Sequence, residues 1–122
     1  MKYKLTIAII VTVLLIGGGI AETIFVNDTF DSLESRLTTI MSQSTFSCED
    51  IKATETWWNK RTKLLEITIP HIQLTEITVT FGELVGAMEE EDYDSASALL
   101  NRIYHYSVEI GNQYGFKLKN VF

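Results

Sequence analysis

The sequence predicts an all-α chain, with an N-terminal transmembrane helix followed by an antiparallel up-down bundle of three to four helices. Three observations carry this expectation. Leu5 to Ala21 is a run of 17 residues with no charged side chain. Beyond it, apolar residues recur at steps of three and four, the period of one helix face. With one Pro in 122 residues, few breaks are enforced on the helices.

The first element is the apolar run itself, LTIAIIVTVLLIGGGIA, preceded by Lys2 and Lys4. Crossing the hydrocarbon core of a bilayer takes roughly 17–25 apolar residues in a helix, and extending the run from Tyr3 to near Thr23 meets that need without strain. Two readings stand side by side. As a signal anchor, the segment stays in the membrane and runs into a soluble helix, because no Pro or turn signal separates Ala21 from the polar stretch that begins at Glu22. As a secretory signal peptide it is cleaved near Ala21, where Gly19 and Ala21 are the small residues a signal peptidase reads. The basic flank holds the N-terminus in the cytoplasm in either case, so the remainder is expected outside it. The chain therefore divides into a segment 1–22 and an extracytoplasmic domain 23–122.

The next helix carries Phe30, Leu33, Leu37, Ile40 and Met41 on one face. Ser42 to Ser47 interrupt it, and Ser47 is placed to cap the following helix, with Glu49 and Asp50 favourable near its N-terminus. That helix bears Ile51, Trp57, Trp58, Leu64 and Leu65. Residues 67–81 are rich in β-branched side chains and alternate in places, which keeps a strand or hairpin open. The stripe of His71, Leu74, Ile77 or Thr78, Phe81, Leu84, Val85 and Met88 favours a helix starting near Pro70. Joining the second and third segments into one helix kinked at Pro70 gives the same stripes, hence three to four helices. After the polar stretch Glu89 to Asp92, Asp94 is the expected cap of a last helix bearing Ala96, Leu99, Leu100, Ile103, Ser107, Ile110, Tyr114 and Leu118. Gly111 and Gly115 weaken its end.

Averages over the whole chain conceal this division. The net charge of −6 combines two lysines at the start with a remainder of eight basic and sixteen acidic residues. Such an acidic domain lacks the basic surface that nucleic-acid binding demands, so no nucleic acid is expected as a partner. A single Cys48 excludes an intramolecular disulfide and a cysteine-based zinc site. In an oxidising compartment it is either a buried small hydrophobe or a thiol free for intermolecular pairing.

Chemical motifs are scarce. Neither histidine sits in the Glu-x-x-His pair of carboxylate-bridged metal bundles, since Thr68 and Arg102 occupy the matching positions. His105 has Glu109 four residues on, and both histidines are expected to be structural, His71 partly buried and His105 exposed. Glu89 to Asp92 lack the ligand alternation and internal Gly of a calcium loop. Nucleophile elbows, glycine-rich phosphate loops and His-Glu-x-x-His are absent from the sequence. The expectation is a protein without catalytic residues, cofactor or metal. Trp57 and Trp58 lie about 100° apart on a helix, so one belongs to the core and the other to a groove or contact surface. With Lys60, Arg61 and His71 they form the candidate interaction surface.

The basic start and apolar run, Trp57-Trp58, the stretch Pro70 to Leu74, the acidic connection Glu89 to Tyr93 with Ala96 and Leu99, and the ending Asn120-Val121-Phe122 together resemble the domain-of-unknown-function family 4363. These are small bacterial proteins with an N-terminal membrane segment and an all-helical extracytoplasmic region. The resemblance covers nearly the whole chain and implies no catalytic residue, but it does imply a membrane partner. The functional expectation is a single-pass, membrane-anchored interaction or modulator module for another envelope protein. The alternative is an extracytoplasmic small-molecule sensor acting through a membrane partner, with its ligand near the tryptophan pair.

Overall fold

The computed structural model describes residues 2–67 and 69–114 and contains four α-helices: α1 (Lys2–Met41), α2 (Cys48–Leu65), α3 (His71–Glu89) and α4 (Tyr93–Tyr114). The all-α, up-down expectation holds in its four-helix form. Each helix packs against its neighbours in sequence and α4 closes back on α1, while among the described residues the backbones of the diagonal pairs stay apart. The chain thus runs up and down around one core. The expected continuation of the last stripe to Leu118, the side chain of Tyr114, Gly115 and the ending 120–122 lie outside the described residues.

One unbroken helix, α1, does two jobs. Every side chain from Tyr3 to Glu22 is exposed, and the segment is long and apolar enough to cross a membrane. From Val26 the same helix turns Val26, Phe30, Leu33, Leu37 and Ile40 into the core. Packing therefore begins one turn earlier than the Phe30 stripe indicates, because Val26 lies four residues before Phe30 on the same face.

Ser47 caps α2 as expected, its side-chain oxygen accepting from the Asp50 amide at 3.3 Å. The chain then breaks between Leu65 and His71, with Pro70 immediately before α3. Pro carries no amide proton, so it serves at a helix start without wasting a donor. The β-branched segment is helical from His71 onward, with Leu74, Ile77, Phe81, Leu84 and Met88 buried. Its threonines fit a helix because Thr75, Thr78 and Thr80 return their hydroxyls to the carbonyls four residues back, at 2.8, 3.1 and 2.6 Å.

The turn between α3 and α4 is a Schellman motif, in which the Asp92 amide donates to Ala87 O at 2.9 Å and the Glu91 amide to Met88 O at 3.1 Å. Glu91 occupies the left-handed position with φ 58°, where a side chain costs about 1 kcal/mol relative to glycine. Glu91→Gly is accordingly expected to stabilise the domain by roughly 0.5–1 kcal/mol. Chemical denaturation checks this, and a lowered midpoint would contradict it.

The turn also decides which acid caps α4. Asp92, and not Asp94, does so: its carboxylate accepts from the Ser95 hydroxyl at 2.7 Å and from the Ser95 amide at 3.2 Å. These two bonds hold the Asp92 carboxyl below its ordinary value, the hydroxyl contributing most. A carboxyl lowered in the folded state stabilises it above the unfolded pKa, and that contribution vanishes as pH falls through the folded value. Asp92→Asn keeps a capping oxygen but removes the charge. Melting temperature should therefore fall less steeply on acidification in the variant than in the parent, and parallel curves would sink this assignment.

Candidate functional site

The five residues of the expected surface do not form one patch: Trp57 and Arg61 meet, while Trp58 is withdrawn into the core. Trp58 is fully buried and so leaves any contact surface. Its indole stands edge-on to Phe30, with ring centres 6.0 Å apart, and tilted against Phe81 at 6.5 Å. The indole Nε1–H donates to Thr78 Oγ1 at 3.0 Å, which satisfies the one polar group that burial would otherwise strand. Trp58 thereby links α1, α2 and α3 at the middle of the core.

Trp57 is half-buried at the side of α2. Two guanidinium groups approach its ring, Arg36 at 4.6 Å and Arg61 at 5.4 Å. Arg61 also lies 5.1 Å from the Phe25 ring. Its Nη1 donates to Asp28 Oδ2 and Thr29 Oγ1, each at 3.2 Å. This cluster fastens α2 to α1, which pack less extensively than α4 does with either of its neighbours. Each cation–π contact contributes about 0.5–1 kcal/mol at an exposed position. Two of the surface residues are thus occupied within the bundle.

Lys60 is exposed, and so is His71, which corrects the expectation of a partly buried histidine. His71 opens α3, and the buried stripe starts only at Leu74. The imidazole Nδ1 sits 3.1 Å from Glu66 Oε1 and ties the start of α3 to the end of α2. His105 is exposed, stacked edge-on against Tyr104. Cys48 is half-buried at the start of α2 against the core. Among the described residues, no three His, Cys, Asp or Glu side chains come together as metal ligands would.

An open apolar cleft of about 250 Å³ lies between α1 and the end of α2, lined by Gly18, Ala21, Phe25, Leu64 and Ile67, with Glu22 at its edge. Sequence patterning gives no direct sign of it. The available signal is the connection between α2 and α3, where Ile67 and Ile69 follow Leu64 of α2 in a stretch that is ordinarily polar. A cleft this open and nearly devoid of polar groups offers nothing to orient a small polar ligand. Beside Trp57 stand the guanidinium groups of Arg36 and Arg61. Comparison of the chain with known protein families, curated proteins and solved structures gives no match.

Proposed function

We propose that the chain is a single-pass, membrane-anchored helical module that binds or modulates another protein of the cell envelope without catalysing a reaction. Residues 3–21 of α1 act as the anchor, the N-terminus stays in the cytoplasm, and the acidic bundle stands outside. One observation above all supports this reading. The apolar half of α1 has every side chain exposed, yet the helix continues without a break into the bundle core. An apolar helix bare of protein contacts demands another environment, and a bilayer supplies it. The resemblance to the domain-of-unknown-function family 4363 and the membrane partner it implies belong to the same proposal.

Photocrosslinking in native membranes from positions on the exposed surfaces of α3 and α4, with identification of the attached proteins, tests the interaction. A recurrent envelope protein, lost when the crosslinker is moved into the core, is the expected result. Recovery of the chain only in the soluble extracytoplasmic fraction, cleaved near Ala21 and without recurrent crosslinks, would overturn the proposal.

A further inference from the structure

The two ends of the bundle differ in chemistry. The end formed by the α1–α2 and α3–α4 turns carries Glu49, Asp50, Glu89, Glu90, Glu91, Asp92 and Asp94, all exposed. The opposite end, at the connection between α2 and α3, presents Leu64, Ile67 and Ile72 at 57%, 75% and 77% exposure. Glu66 there is engaged by His71 at 3.1 Å, and Glu22 of α1 lines the cleft beside Leu64 and Ile67. Lys60 and Lys63 are exposed within the last turns of α2, just above this apolar tip.

Leu64 and Ile67 line the same cleft as Gly18 and Ala21 of α1, which fixes their level along the helix axis. From Tyr3 to Ala21 a helix rises about 27 Å, and the hydrocarbon core is about 30 Å thick. With Tyr3 at the inner boundary of that core, Ala21 lies close to the outer boundary. Side chains sharing a cleft with Gly18 and Ala21 therefore meet lipid, and the lysines one or two turns above meet phosphates.

We propose that the α2–α3 connection is a second membrane contact, in which Leu64, Ile67 and Ile72 dip into the outer interface of the bilayer that α1 spans and Lys60 and Lys63 face its headgroups. This inference rests on α1 being an anchor, and it adds that the bundle lies seated on the lipid instead of standing clear on a stalk. The partner is the lipid surface itself; the acidic end, repelled by anionic headgroups, points away.

The test uses the full chain in vesicles of phosphatidylglycerol and phosphatidylcholine in equal parts. In a Cys48→Ala background, single cysteines replacing Ile16, Ile67 or Glu90 are labelled with an environment-sensitive fluorophore, and nitroxide-bearing lipid is then introduced. The labels at 16 and 67 are expected to emit to the blue and to lose most of their intensity to the quencher, with 90 unaffected. Quenching at 16 without quenching at 67 overturns the seated bundle and leaves the anchor intact. No quenching at 16 overturns the anchor reading, and the inference falls with it. Amide exchange on the unlabelled chain gives an independent measure if the Cys48→Ala background folds poorly. Amides of residues 64–67 should exchange more slowly in vesicles for the parent than for Ile67→Asp, and equal rates would contradict the proposal.

Discussion

Replacing Trp58 with alanine is expected to destabilise the bundle by about 3–5 kcal/mol, the usual cost of emptying a large aromatic site in a core. The side chain is wholly buried, and its removal leaves Phe30 and Phe81 facing a void from opposite helices. A domain of this size has roughly 5–15 kcal/mol of stability in total, so the variant should unfold at much lower denaturant or temperature. Trp58→Phe separates the two contributions. It keeps most of the ring but leaves the Thr78 hydroxyl without its donor, a loss of about 1 kcal/mol beyond the smaller volume. Thr78 retains its own bond to Leu74 O, which limits the damage. The adjacent residue makes the comparison sharp. Trp57→Ala gives up half-buried area and its contacts with Arg36 and Arg61, about 1–2 kcal/mol. Equal midpoints for the two alanine variants, measured by circular dichroism in detergent, would show that the core assignment of Trp58 is mistaken.

Deleting residues 1–21 should have the largest effect on location and a small one on folding. All side chains from Tyr3 to Ala21 are exposed, and the core begins at Val26, so the truncated chain keeps its buried residues. Glu22 then stands at the new start of α1, where a negative charge is favourable to the helix dipole by about 0.3–1 kcal/mol. The expected result is a chain that shifts from the membrane pellet to the soluble fraction while holding its helical spectrum and cooperative melt. A truncated chain that remains integral to the membrane would refute the anchor. One that loses cooperative melting would show that the apolar half of α1 contributes to folding. Arginine at Leu14 in the full chain offers a milder form of the same test, since a cation at the centre of a span costs about 2.5–3.5 kcal/mol on insertion.

Much of the architecture is legible in the sequence because helix signals are local. Ser47 with acids two and three residues on marks a cap, Pro70 marks a start, and the stripe from Leu74 to Met88 fixes which face of α3 is buried. The strand alternative for residues 67–81 rests on intrinsic preference, and tertiary packing of that stripe prevails over it, helped by threonine hydroxyls that find carbonyls one turn back. What escapes the sequence is of two kinds. The cap of α4 depends on a left-handed Glu91, and nothing in Glu-Glu-Glu-Asp-Tyr-Asp announces a positive φ where glycine is usual. The role of Arg61 depends on Phe25, Asp28 and Thr29, more than thirty residues away, and spacing along a helix is silent about partners on another. The apolar cleft escapes for the same reason, being assembled from residues that only the bundle brings together.

The unbroken course of α1 makes the protein a ruler. From Ala21 to Met41 the helix has no joint, and at 1.5 Å per residue it rises about 30 Å. On the proposed anchoring of α1, the acidic turns beside Met41 and Glu89 are carried at a set height, with a set compass bearing relative to any tilt or rotation of its apolar half. A partner that engages that end must itself project to the same height, and one confined to the lipid surface meets only the sides and foot of the bundle. Inserting a single residue near Ala21 would turn the whole bearing by about 100° while raising the height by only about 1.5 Å, so direction and reach can be varied almost independently.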